Sequence, residues 1–148
     1  MAKHEAVLET SLLSEIFQSN QSFFAPDCKV ELRIGGAFEM YFDLEAGKGK
    51  MGSEGAKILA IQKPTMLSFT WNAPPHLPSI RKQWTHVLIK LHKSGPKKTL
   101  VQLCHDGWGT GDQWKKASHY FQRAWLELVL PRLKQRFSSG PLNWDEIT

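Results

Sequence analysis

The segment from Trp114 to Phe137 constrains this chain more than any other. At helical spacing it gathers Trp114, Ala117, Phe121, Ala124, Trp125, Leu128, Leu133 and Phe137 on one broad face, leaving Lys115, Lys116, Gln122, Arg123, Glu127 and Arg132 for water. Burying each large side chain is worth about 1.5 to 3 kcal/mol, so a face this bulky must be covered. Gly107-Trp108-Gly109-Thr110-Gly111 introduces the helix, with Asp112 as the expected cap. Pro131 is out of place: it lacks an N–H and its ring opposes the Glu127 carbonyl, so a kink or break is expected there.

The cover has to come from the alternating segments upstream. Cys28, Val30, Leu32 and Ile34 repeat with period two, Gly35-Gly36 supplies a turn, and Phe38, Met40, Phe42 and Leu44 repeat the pattern, which predicts a hairpin. Further strands are expected within Ser53–Gln62, over Met66–Trp71, over Trp84–His92 with Thr85, Val87, Ile89 and Leu91 on one face, and over Thr99–His105, where Leu100, Val101, Leu103 and Cys104 read as core. Pro74, Pro75 and Pro78 make the 72–78 connection irregular. Leu8, Leu12, Leu13 and Ile16 predict a short helix capped at Thr10 or Ser11, and Trp144 is expected to fold back on the body. Helix, strand series and long helix in that order predict one α+β domain over residues 1–148 with an antiparallel sheet.

Composition narrows the function. The 148 residues suit one domain, and no apolar run is long enough to span a bilayer. The start lacks the pattern of a secretory signal, and Cys28 and Cys104 are read as free buried thiols, so the expected setting is the cytoplasm. The net charge of +5 is scattered in short pairs rather than set in a stripe, which argues against nucleic acid as a partner. No nucleophile elbow, phosphate loop, dinucleotide fingerprint or zinc motif is present, so no catalytic residue, cofactor or metal is assigned. His105-Asp106 with His119 offers a base and its orienting group but no evident nucleophile, and reads better as a satisfied buried or boundary histidine. His86 and His92 lack a third ligand at metal spacing.

The aromatic residues say more. Phe38, Phe42, Phe69, Trp71, Trp84, Trp108, Phe121 and Trp125 lie on elements that must meet, either as a plain core or as the lining of an apolar cavity. In the second reading Trp71, the proline loop, Trp84 and Trp108 border the mouth, and Arg81 or His86 meets a polar ligand group at the rim.

Phe23-Phe24-Ala25-Pro26, Ile34-Gly35-Gly36-Ala37-Phe38 within the hairpin, Gly52 to Gly55, Leu67-Ser68-Phe69-Thr70-Trp71, Thr85-His86-Val87 and the Leu100 to Gly107 strand before the long helix together resemble the START-like, or helix-grip, superfamily, also called SRPBCC proteins. The branch they look like is that of the Hsp90 ATPase activator homologues, over about residues 22 to 138. The resemblance implies a curved seven-stranded antiparallel sheet wrapped around the C-terminal helix, often enclosing a hydrophobic cavity. It places Phe38 and Phe42 on the inward face of the hairpin, Trp71 at the end of a central strand, and Trp125 and Leu128 toward the cavity. Members bind apolar small molecules, act as polyketide cyclase-like enzymes or serve as chaperone cofactors.

The departure is at the start, where only His4 to Leu8 offers a first strand, so that strand is expected to be short or missing, exposing an edge to a second copy as a homodimer. The expected function is binding of a hydrophobic or aromatic small molecule between sheet and helix by Phe42, Phe69, Trp71, Arg81, Trp84, His86, Trp108, Phe121 and Trp125. The alternatives are modulation of an Hsp90-type chaperone and cyclase- or hydrolase-like catalysis on an apolar substrate.

Overall fold

The computed structural model describes residues 3–8 and 20–147. Its elements in chain order are β1 (Lys3–Leu8), α1 (Asn20–Phe23), β2 (Asp27–Val30), β3 (Phe38–Tyr41), β4 (Ile58–Gln62), β5 (Met66–Trp71), β6 (Thr85–Gly95) and β7 (Lys98–Asp106). A long helix follows as α2 (Asp112–Arg123), a π-helical stretch (Ala124–Val129) and α3 (Leu130–Ser139). The expected helix around Leu12 and Ile16 lies outside the described residues.

Five strands form one antiparallel sheet in the order β1-β7-β6-β5-β4, and β2 and β3 pair as a separate hairpin. The hairpin continues the sheet past β4, because Phe38 N–H donates to the Ala56 carbonyl and Ile58 N–H to the Gly36 carbonyl. Gly52 makes this joint feasible: a Cβ there would collide with the Met40 carbonyl of β3. The first strand is present, pairing with β7 from Lys3↔Cys104 to Leu8↔Thr99, so β7 is not left as a bare edge.

The hairpin strands are shorter than the alternation predicts. Arg33 N–H turns back to the Glu31 carbonyl and Ala37 N–H is held by the Glu31 carboxylate, so Ile34 sits in a turn at 72% exposure rather than beside Val30. The strand character of β3 likewise ends at Tyr41, leaving Phe42 and Leu44 exposed. In β7 the alternation is strict, burying Thr99, Val101, Leu103 and His105; Leu100 and Cys104 face outward and are only half-buried. Cys28 and Cys104 are free, but partly exposed rather than buried.

The helix lies across the inner face of the sheet with Trp114, Ala117, Phe121 and Trp125 buried. It passes Pro131 without breaking. Leu130 N–H reaches the Trp125 carbonyl five residues back, and this wider turn places Pro131 in the first turn of α3, where a missing N–H leaves no bond unmade. The wide turn also shifts the phase. After Trp125 the buried positions are Val129, Leu130 and Leu133, whereas Leu128, expected on the covered face, is 47% exposed. Asp112 makes no capping bond; Gly111 occupies the cap position. Beyond the helix, the Trp144 indole donates to the Gln21 carbonyl at 2.7 Å and lies under the Arg132 guanidinium, so the tail does fold back.

Candidate functional site

The centre of the domain is filled. Phe24, on the apolar connection after α1, sits between sheet and helix with its ring 5.8 Å from both Trp71 and Trp125, and those two indoles are 5.7 Å apart. Phe38 and Phe69 close the sheet side at 4.2 Å. The space left between Phe24, Phe38, Leu67 and the helix is about 20 Å³, room for about one water. Among the described residues the enclosed cavity expected between Trp125 and β5 is therefore absent, because Phe24 occupies it.

Open space borders the filled centre at the edge of the helix, where the chain after β3 and the proline loop face α2. One groove of about 180 Å³ is walled by Phe24, Phe42, Trp71, Tyr120, Phe121, Trp125 and Leu128 and ends at Arg132. A second lobe of about 210 Å³ shares Phe42, Trp71, Tyr120 and Phe121 and extends over Lys50, Gly52, Pro74, Pro75 and Arg81. Phe42, Tyr120 and Leu128 stand 42%, 43% and 47% exposed along it, a continuous apolar surface that water covers poorly.

Arg81 borders the second lobe, yet its guanidinium is engaged by the protein. Nη1 donates to the Ala73 carbonyl, and Nη2 donates to the Gly49 and Gly52 carbonyls at 2.8 and 2.7 Å and to the Glu54 carboxylate at 3.3 Å. Burial lowers the pKa of Arg81, with Glu54 opposing that shift. Burial also pushes the Glu54 carboxyl up, but the backbone N–H groups of Met51 and Gly52, among others, outweigh it and hold the group below its usual range. Arg81 thus ties the 47–54 loop to the proline loop and keeps the groove walls apart. At the opposite end, Arg132 is partly buried, which lowers its pKa, and it has no carboxylate within ion-pair distance among the described residues.

The other expected site residues lie elsewhere. Phe69 is fully buried in the core, and Trp84 packs outside against Gly55. Trp108 lines a different hollow of about 210 Å³ with His4, His105 and Gln122, on the β1 side of the helix. His86 is on the outer face of the sheet. His105 and Asp106, adjacent in one strand, point to opposite faces and cannot act as a pair.

His105 is the polar centre of the inner face. Trp125 can only donate, so its Nε1–H, 3.1 Å from His105 Nδ1, makes that nitrogen the acceptor. Nε2–H then donates to Thr85 Oγ1 at 2.7 Å, and the Thr85 hydroxyl donates to the Trp71 carbonyl at 3.0 Å. This chain of bonds joins the helix to β7, β6 and β5 and leaves His105 neutral. Burial, with the nearby His4 and His86 adding to it, lowers its pKa to about 3. Tyr120 and Arg132 were missing from the sequence-based site, and Leu128, which the resemblance placed toward an enclosed cavity, lines the open groove instead. Tyr120 is recognisable only once the exposed side of the helix is known, and Arg132 reads as a solvent-facing charge until the wide turn is seen.

Among the described residues no helix is long and apolar enough to cross a membrane, and no group of three metal-binding side chains converges. No curated protein matches the chain significantly. Similar solved structures include a conserved protein of unknown function from Enterococcus faecalis (17% identity, 99% of this chain and 75% of that one, TM-score 0.67). The Aha1 dimer from Colwellia psychrerythraea is similar at 15% identity over 95% of this chain and 98% of that one, with a TM-score of 0.65. CalC, a self-sacrificing resistance protein from Micromonospora echinospora, is similar at 14% identity over 96% of each chain, with a TM-score of 0.62. At these identities the likeness is one of fold. Residues 4–138 match the family described as Activator of Hsp90 ATPase homolog 1-like protein, and the chain, with its helix-grip fold, belongs to that family.

Proposed function

We propose that this protein reversibly binds a flat apolar or aromatic small molecule carrying an anionic group, in the open groove between Phe42 and the helix rather than in an enclosed cavity. The observation that carries this reading is the continuous half-exposed wall of Phe42, Tyr120 and Leu128 beside Trp71, ending at an Arg132 with no ion-pair partner among the described residues. Such a wall gains from covering its apolar area, and a guanidinium at its end orients an anion. With the centre filled by Phe24, bound ligand stays in contact with water along one side.

The test uses 1-anilinonaphthalene-8-sulfonate, an aromatic sulfonate, as the probe. Saturable one-to-one fluorescence enhancement is expected. It should weaken about tenfold in Phe42→Ser and in Arg132→Gln, a change of about 1.4 kcal/mol. Absence of saturable binding, or equal affinity in both variants, removes the reading. The family and the fold likeness to Aha1 support a second reading, a surface that docks on an Hsp90-type chaperone. It predicts a changed chaperone ATPase rate on titration, reduced by Leu128→Glu, and an unchanged rate dismisses it.

A further inference from the structure

The outer face of the sheet carries a second arrangement, independent of the groove. Phe69, Val87 and His105 on β5, β6 and β7 turn inward, and Ser68, Thr70, His86 and Asp106 turn outward; Ser68 itself is only 7% exposed beneath its neighbours on that face. Pairing sets Thr70 opposite His86 and His86 opposite Asp106, with Ser68 one diagonal step away on the same face. His86 Nδ1 lies 2.8 Å from Asp106 Oδ1, and His86 Nε2 lies 2.7 Å from Ser68 Oγ.

The direction of these bonds follows from the chemistry of the groups. An ionised carboxylate only accepts, so Nδ1 carries the proton toward Asp106 and Nε2 is left as the acceptor of the Ser68 hydroxyl proton. A nucleophile bonded to a base, itself oriented by an acid, is the relation that activates a serine. Holding three strands together asks only for polar pairs. It does not require the order hydroxyl, imidazole, carboxylate at these separations.

We propose that Ser68, His86 and Asp106 form a hydrolytic site on the outer face of the sheet, acting on small, unhindered acyl esters or thioesters. Ser68 Oγ attacks the acyl carbon while His86 Nε2 takes the hydroxyl proton. The tetrahedral adduct collapses to an acyl-serine, and the imidazolium returns that proton to the departing alkoxide or thiolate. A water molecule, deprotonated by the same nitrogen, then attacks the acyl carbon. The adduct collapses with breakage of the bond from Ser68 Oγ to the acyl carbon, the imidazolium returns its proton to Ser68 Oγ, and the acid leaves. Asp106 does not change protonation state; it orients the ring and supports its transient charge. Thr70, whose hydroxyl accepts the Lys57 N–H and keeps its own proton, stands opposite His86 as a donor for the developing oxyanion. Leu88, opposite Ser68, and Met66, next on the same face, offer an apolar shelf for a short acyl chain. With Ser68 only 7% exposed, the substrate class is limited to acyl groups slim enough to reach its hydroxyl between the neighbouring side chains.

The experiment treats the folded full chain with a fluorophosphonate probe, which phosphonylates activated serines, and locates the adduct by peptide mass spectrometry. One adduct at Ser68 is expected. His86→Gln, verified as folded by its thermal melt, should react at least about a hundredfold more slowly, the lower range of a general base's contribution. Ser68→Ala should leave no adduct, and p-nitrophenyl acetate hydrolysis should fall in step with labelling. A folded wild-type chain that stays unlabelled overturns the proposal without reference to any variant. So does an adduct at another serine, or a His86→Gln rate equal to wild type.

Discussion

His105 makes the stability of this domain sensitive to acid, by an amount the structure sets. Its ring is buried and neutral between Trp125 and Thr85, and its pKa falls from the usual 6.5 to about 3. The unfolded chain binds a proton at His105 below about pH 6.5 and the folded chain does not, so stability is intact above that pH and declines as pH falls toward 3. At one pKa unit per about 1.4 kcal/mol, moving from pH 7 to pH 5 removes about 2 kcal/mol through this group. His4, also depressed by burial, acts in the same direction, so the contribution of His105 has to be isolated by difference. His105→Gln keeps a donor and an acceptor but does not titrate. It should be less stable than wild type at pH 7 by about 1 to 3 kcal/mol, for imperfect bonds to Trp125 and Thr85. Between pH 7 and pH 5 it should then lose about 2 kcal/mol less than wild type. Urea unfolding followed by tryptophan fluorescence at each pH measures both. Parallel pH profiles within about 0.5 kcal/mol would refute the argument, since an imidazole kept neutral by its surroundings cannot be replaced without flattening the curve.

Other substitutions test separate parts of the structure. Leu130→Ala should destabilise by about 2 to 5 kcal/mol in urea and Leu128→Ala by under about 1 kcal/mol, the reverse of what an uninterrupted helical stripe predicts. Arg81→Ala should lower stability by about 2 kcal/mol and hasten proteolysis within residues 47–54, because four carbonyl and carboxylate partners lose their charged donor. Trp125→Phe removes the indole donor that favours neutral His105, so the folded-state pKa of His105 should rise toward the usual 6.5 and the stability lost as pH falls toward 3 should shrink, as read by urea unfolding at each pH.

Much of the fold follows from period. Met66–Trp71 was expected as a strand and is one, residue for residue, because apolar side chains fill it between two turn signals. The long helix follows from its aromatic face, and the hairpin from Gly35-Gly36. Alternation alone did not show where β2 ends, since the Glu31 side chain takes a backbone donor that a longer strand would have needed. The site was partly legible. Phe42, Trp71, Phe121 and Trp125 converge on one groove, whereas Phe69, Trp84 and His86 share only composition with it. Identity of residue type cannot distinguish a tryptophan facing a neighbour's glycine from one facing the helix. Nor does sequence reveal that Phe24, 47 residues before Trp71 in the chain, fills the space between sheet and helix. Ser68 was equally invisible: its partners belong to two other strands, and only register brings them within bonding reach.

The π-helical stretch has a consequence for how the chain tolerates change. It behaves as one extra residue absorbed into a helix, so removing a single residue between Ala124 and Val129 would bring Phe121, Trp125 and the present Val129, Leu130 and Leu133 into one ordinary stripe. Pro131 would then fall inside a continuous rod and oppose a carbonyl one turn before it. The proline and the surplus residue are therefore compatible only together, and a natural variant that has lost one is expected to have lost the other.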